Sequence, residues 1–284
     1  MKARWHFIMA PSLILSLFLL LASQIIFLRG GFFKDLRLGR SGTDLTWENY
    51  VRFFSDNIYV DSLVLTIEVS AAVALLTLCL SYPVAYIIAR MRSRWSLLLI
   101  AAIVAASFIT IVIKVLGLII IFSSGGALNR ALLALGVVSK PLTIMGQPGG
   151  VVVGLMHFTM GFAVLLLYGV IRTIPASLED AATIHGAPRW RVFWRVIIPL
   201  SLPGVIVTAL IVFNLCMGAF TSAALIGAGK VYTLPVLIQQ TVIFQTRYGM
   251  GATISAVLMA VTLLINLLSL LVVTRLAVAR RLTA

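Results

Sequence analysis

The sequence predicts an all-α membrane protein whose single domain crosses the bilayer six times. Three observations predict it. Of 284 residues, 61% are hydrophobic and only 11% charged, with a mean hydropathy of +1.12, whereas a soluble domain carries about 25% charged residues. Runs of roughly 20 apolar residues recur, each long enough to cross a hydrocarbon core of about 30 Å. The remaining charges gather mostly between these runs.

The first run, 7–28, follows Lys2 and Arg4. A signal peptide has a shorter apolar core and a small-residue cleavage site. "LLLASQIIFLRGGFF" offers only a weak version of the latter, so this run is expected to stay as the first span. The others cover 61–89, 96–122, 149–171, 201–226 and 249–274. All are expected to be helical, because a lone strand or open loop in lipid would leave backbone groups unpaired.

Orientation follows from Lys and Arg in alternate connections. With the N-terminus inside, the inner segments hold twelve: Lys2, Arg4, Arg90, Arg92, Arg94, Arg172, Arg189, Arg191, Arg195, Arg275, Arg280 and Arg281. The outer segments hold nine, and five of those, Arg37 among them, fall in the long connection after the first span. Short connections decide orientation, and "ARMRSRW" (89–95) is the clearest of them. Both termini are therefore expected inside. The long outer connection contains "TWENYVRFF" (46–54), where Trp47, Tyr50, Val51 and Phe54 share a helical face. It reads as a helix lying on the membrane surface, or as a docking point for an external partner. The outer stretch 129–150 reads as a short amphipathic helix and a Gly/Pro loop.

The net charge of +14 would indicate nucleic acid in a soluble protein. Here the basic residues sit beside apolar runs, where they set orientation and meet anionic lipid, so membrane lipid and not nucleic acid is the expected partner. Cys79 and Cys216 lie inside apolar runs, and His6, His157 and His185 are scattered, so neither a disulfide framework nor a metal or cofactor site is expected.

The inner connection 173–200 interrupts this pattern with "PASLEDAATIHGAPRWRVFWRVIIP" (175–199). Ser177 and Asp180 fit a capping box that would start a helix near Leu178. Glu179 and Asp180 suit the positive end of its dipole. Ala181 and Ala182 give a smooth face, and Gly186 is placed to end the helix in a left-handed turn. Pro188 can open a second helix, with Trp190, Phe193, Trp194 and Ile197 as its apolar stripe and Pro199 and Pro203 marking the return to the membrane. The residues alone leave two readings open: an acidic, small-residue helix offered to the cytosol, or a connector between two spans.

"EDAATIHGAPRWRVFWRVIIP" (179–199) resembles the signature loop of membrane subunits in binding-protein-dependent ABC importers. In that pattern an acid and two alanines precede a glycine, and an aliphatic-x-aliphatic-proline ending follows. Asp180, Ala181, Ala182, Gly186, Val196, Ile198 and Pro199 match it, with aspartate where glutamate is usual. The resemblance covers nearly the whole chain and is greatest to the spermidine/putrescine-type subunits. "TWENYVRFF", "SYPVAYIIAR" (81–90), "LNRALLALGVV" (128–138) and "LLLYGVIRTIPASLEDAA" (165–182) carry it. "AASFIT" (105–110) and "GAFTSAALIGAG" (218–229) lack prolines usual in that group.

The resemblance implies a type I ABC importer permease fold in a bacterial inner membrane. It implies a coupling helix, formed here by Glu179, Asp180, Ala181, Ala182 and Gly186, seated on a cytoplasmic ATP-binding subunit dimer. A second permease subunit (a different chain) and a periplasmic or extracellular solute-binding protein complete the assembly. The cargo it implies is a polyamine or related small organic compound. The chain itself would perform no chemistry: "GAGKV" (227–231) fails as a phosphate loop because Ala224 and Val231 break the pattern.

Lys114 lies deep in the third run, where a charge costs at least about 2.5 kcal/mol. Glu68 in the second run is its candidate partner in an ion pair; the other reading places both on the translocation pathway. Asn214, Phe220, Thr221 and Ser222 are further pathway candidates, which ordinary helix packing explains almost as well. Two rival functions would each demand other features. A secondary transporter driven by an ion gradient would want acids near the midplane and an internal repeat. An integral-membrane enzyme would need clustered His, Asp, Glu or Cys.

Overall fold

The computed structural model describes residues 2–36 and 39–282, with side chains over 10–36, 39–40 and 42–271. The side chains of Lys2, Arg4, His6, Arg37, Arg275, Arg280 and Arg281, read above, lie outside the described residues. In chain order, α1 (Lys2–Arg29) leads through a 3-10 turn (Gly30–Phe32) to β1 (Phe33–Asp35), β2 (Ser41–Leu45) and α2 (Glu48–Ser55). α3 (Asn57–Arg90) is the second span; α4 (Trp95–Phe108), a shorter apolar helix, and α5 (Ile111–Phe122) fall in the run read as the third, and α5 with α6 (Ala127–Ala134) is the stretch long enough to cross. α7 (Pro148–Arg172) is the fourth, and α8 (Ser177–Ile184) stands in the connection after it. α9 (Arg189–Val192), a π turn (Phe193–Ile197) and α10 (Ile198–Met217) run on as the fifth. α11 (Thr221–Ile226) and α12 (Leu234–Gln239), which continues as a π turn (Gln240–Phe244), precede α13 (Tyr248–Leu282), the sixth. Six helical stretches are long and apolar enough to cross a membrane, so the all-α reading with six spans holds.

The chain divides into two compact units, Met1–Leu63 with Leu234–Val261, and Val64–Thr233 with Thr262–Ala284. In the first, β1 pairs antiparallel with β2, Phe33 facing Leu45 and Asp35 facing Ser41. Asp35 closes the unit. Its carboxylate accepts from the backbone N–H groups of Gly249 (2.6 Å) and Met250 (2.8 Å), the unpaired donors at the start of α13. Gly249 must be glycine here, since a Cβ would lie 2.6 Å from the Phe33 carbonyl oxygen. α2 turns Asn49 and Phe53 inward, and the Asn49 amide donates to the carbonyls of Gly31 (3.1 Å) and Phe33 (2.8 Å). Trp47, Val51 and Phe54 stay exposed, as a membrane-surface helix would leave them. Tyr50, expected on that face, instead packs half-buried against Phe32 with ring centroids 5.0 Å apart.

The second unit is built around α7. Its core joins Tyr82, Ala85, Ile88 and Ala89 of α3 to Val164, Leu167 and Ile171 of α7, with Ile174 and Ile197. Hydroxyl groups bridge these helices where lipid offers no partner: Thr77 to Thr159 at 3.3 Å, and Tyr82 to Ser201 at 2.6 Å. In the connection after α5, fully buried Asn129 clamps the loop by donating to the carbonyls of Ser123 (2.9 Å) and Leu142 (3.1 Å).

Two spans read as continuous are interrupted. The third breaks at Ile109 and Thr110, whose ψ values of 131° and 143° are extended. Ser107 donates back to the Ile103 carbonyl at 2.7 Å, a bond that bends helices. After Phe108, five β-branched residues follow in succession, Ile109 to Ile113, which weakens the helix further. The fifth stops at Met217, where Gly218 follows, and resumes as α11. The prolines read as marking the return to the membrane do not interrupt the fifth span. Pro199 and Pro203 lie inside the rod, because the preceding π turn (Ile198 N–H to Phe193 O) widens the helix ahead of the Pro199 ring.

Candidate functional site at the inner loop

α8 starts one residue earlier than the capping box predicts. Ala176 is already helical (φ −64°, ψ −23°), so Ser177 lies inside the helix and no side chain caps it. The first turn closes on backbone alone, with Glu179 and Asp180 both donating to the Ala176 carbonyl. Its end matches the glycine expectation. Gly186 has φ +80°; its N–H donates to the Thr183 carbonyl at 2.9 Å, and the Ala187 N–H donates to Ala182 at 3.0 Å. That bond pair is a Schellman cap, which needs a left-handed residue at its centre.

The two acids of the first turn part company. Asp180 is exposed, together with Ala181 and with Ile184 at 84%. Glu179 faces back into the chain, with its side chain only 17% exposed. Its Oε1 accepts from Arg90 Nε at 2.5 Å and its Oε2 from the Tyr86 hydroxyl at 2.9 Å. Arg90 Nη2 also donates to the Ile174 carbonyl at 3.1 Å. Hydrogen bonds to charged groups are each worth about 1.5–3 kcal/mol, so this is the firmest attachment α8 makes. Of the two acids read in the first turn, one is exposed and one is held within the chain. Ala182 is half-buried, so the smooth face narrows to Ala181.

The stripe expected on the second helix also divides. Val192, Phe193 and Ile197 turn inward, while Trp190 and Trp194, four residues apart, are 63% and 61% exposed. Between α8 and the C-terminal end of α3 lies an open cleft of about 1000 Å³, whose lining includes Tyr86, Arg90, Arg92, Asp180, Arg189 and Trp190.

The membrane candidates do not form one cluster. Glu68 is exposed on α3, because its neighbours Val69 and Ser70 take the buried face. Lys114, half-buried in the first turn of α5, has no acid within ion-pair distance among the described residues, so the Lys114–Glu68 pair does not form. Asn214 pairs reciprocally with Asn266 of α13 (2.9 and 3.0 Å), which commits its amide to holding α10 and α13 together. Phe220 and Thr221 sit half-buried at the interruption of the fifth span. Ser222 is fully buried, and its hydroxyl has no hydrogen-bond partner among the described residues. No group of three or more metal-ligating side chains occurs among them either.

Sequence reasoning missed Tyr82, Tyr86, Arg90 and Asn266. For the first three a signal existed: they recur every four residues in "SYPVAYIIAR", one face of a helix.

Known proteins resemble this chain in sequence and in fold. The model of the family described as "Binding-protein-dependent transport system inner membrane component" matches residues 81–278, which contain α8 and both interrupted spans. The spermidine/putrescine transport system permease protein PotB of Escherichia coli (strain K12) is 34% identical over 185 residues, covering 65% of this chain and 67% of PotB. PotB of Haemophilus influenzae is 28% identical over 224 residues, 78% of each chain. The crystal structure of a bacterial ABC transporter involved in import of the acidic polysaccharide alginate contains a chain with the same fold. It superposes with a TM-score of 0.81 at 18% identity and 96% coverage of both chains.

Proposed function

The chain belongs to the family of binding-protein-dependent transport system inner membrane components, and from that premise we propose how its parts divide the work of import. It is a multi-pass inner-membrane protein, the permease subunit of an ABC importer, and ATP hydrolysis falls to a separate subunit. Family membership favours this over an ion-gradient-driven transporter or a membrane enzyme. In the proposed assembly α8 is the coupling helix. Asp180, Ala181 and the edge of Ala182 meet a cytoplasmic ATP-binding subunit dimer, Gly186 fixes the turn, and Glu179 ties the helix to its own chain. One observation carries this: a short, glycine-capped helix leaves Asp180, Ala181 and Ile184 exposed together in the connection after the fourth span, a face a partner surface would cover.

Both termini lie in the cytoplasm, in keeping with the basic inner connections. A second permease subunit, a different chain, completes the pore, and an external solute-binding protein delivers cargo to it. The exposed face of α2 rests on membrane lipid. The pathway runs along the two interrupted spans, since irregular backbone at membrane depth is tolerated where it is buried in protein or lines a cavity. It takes in Lys114, Phe220, Thr221 and Ser222, with Asn214 beside it and Glu68 facing it from the exposed side of α3. The relatives named for spermidine and putrescine point to a polyamine or a related small organic compound as cargo.

The test is purification in mild detergent with identification of the proteins retained, followed by uptake of labelled putrescine and spermidine into proteoliposomes. An ATP-binding subunit that co-purifies and drives uptake is the expected result. Transport by this chain alone, without a nucleotide-hydrolysing companion, overturns the proposal.

A further inference from the structure

The inner end of α3 carries Tyr82, Tyr86 and Arg90 at four-residue intervals, so the three form one stripe along the helix. Each member reaches a different part of the chain. The Tyr82 hydroxyl lies 2.6 Å from Ser201 Oγ on α10. The Tyr82 and Tyr86 rings both stand edge-on to Phe193, with centroids 5.6 and 5.2 Å away. Tyr86 and Arg90 between them occupy both carboxylate oxygens of Glu179, and Arg90 adds the carbonyl of Ile174 just after α7.

We propose that this stripe is the receiver of the coupling movement: Arg90 and Tyr86 lock α8 to the second span. Force applied to α8 then enters the membrane through α3, as well as through the fourth and fifth spans to which α8 is joined by chain. The inference rests on α8 being the helix that meets the ATPase. Covalent continuity gives α8 only short irregular links to its neighbours, residues 173–176 before it and 185–188 after it. The clasp adds a third attachment, to a helix that neither link reaches. The clasp is also sheltered. Arg90 and Glu179 are 19% and 17% exposed, so water screens their attraction less than it screens a surface pair. The neighbouring acid, Asp180, is left exposed for the partner. One turn of helix thus holds an outward contact and an inward one. Arg90 and Tyr86 are positioning residues, acting on the pathway only through α3.

A merely structural clasp and a transmitting one differ in what they disturb. The experiment uses the complete complex in lipid nanodiscs, in a C79S background because Cys79 is exposed. A cysteine replaces Ile87, 58% exposed near the inner end of α3, and its maleimide labelling rate is measured with and without ATP and vanadate. With Arg90 present, trapping is expected to change the rate by about tenfold. In R90M the ATPase still co-purifies, because the exposed face of α8 is untouched, but the change in rate is lost. The charge-exchanged pair R90E/E179R restores it. Should R90M fail to assemble, Y86F, which removes one hydroxyl, decides in the same way. An undiminished response in R90M or Y86F overturns the proposal, as does no response in the parent complex. If no ATPase co-purifies with the parent, the reading of α8 itself falls, and the proposal with it.

Discussion

The Gly186 turn allows the role of α8 to be tested through backbone conformation alone. Nothing lies within 4 Å of a Cβ built at Gly186, so a side chain there meets no obstacle. Its only handicap is the φ of +80°, which costs an ordinary L-residue about 1–2 kcal/mol. Gly186→Val therefore either bears that strain or leaves the left-handed region and gives up the bonds from Gly186 N to Thr183 O and from Ala187 N to Ala182 O. Either way the equilibrium constant for the capped turn falls by about 5–30-fold. A partner that recognises the capped helix loses apparent affinity by up to that factor, as the competent fraction falls. The assay strips the ATPase from the purified complex and titrates it back, for the parent, Gly186→Val and Gly186→Asn. Asparagine tolerates the left-handed region and should bind closer to the parent than valine does. The reasoning is refuted if valine binds as tightly as glycine, or if asparagine loses as much as valine.

Asp35→Ala should lower the stability of the first unit by about 1–2 kcal/mol, as loss of a helix cap does, read by thermal unfolding in detergent. Gly249→Val should cost more, because the Phe33 carbonyl must move. Replacing either Asn214 or Asn266 with leucine should cost about 0.6–1.7 kcal/mol, while the double variant costs less than the two singles together; additive losses would mean the amides do not act as a pair. Lys114→Met should insert normally and retain the ATPase but take up labelled cargo more slowly, and unchanged uptake removes Lys114 from the pathway.

How far the chain can be read without its structure depends on whether a feature is local. Six spans are legible because bilayer thickness fixes their length, and the end of α8 is legible because a left-handed turn favours glycine at a single position, Gly186. The interruption at Ile109–Thr110 is not. No proline or glycine marks it, and the bend arises from Ser107 turning back on Ile103 together with a β-branched run. The Lys114–Glu68 pairing failed for a related reason. Burial cost alone asks that a membrane charge be covered, and it leaves open whether the same chain or another surface does so.

Glu179 and Asp180 bring the two kinds of information together. As letters they are interchangeable, both acidic and both in the first turn of α8. Helical geometry places them about 100° apart, and only the arrival of Arg90 and Tyr86, some ninety residues earlier in the chain, determines which one is held. The four-residue spacing of Tyr82, Tyr86 and Arg90 was present in the sequence, but a stripe has meaning only against the surface it meets. The exposed acid, Asp180, is one methylene shorter than Glu179. The longer acid is the one that reaches inward across to α3. Exchanging the two, Glu179→Asp with Asp180→Glu, should therefore weaken the grip on Arg90 while leaving the outward contact in place. Uptake should fall with the ATPase still bound, and a double variant that transports like the parent would show that side-chain reach at these two positions is immaterial.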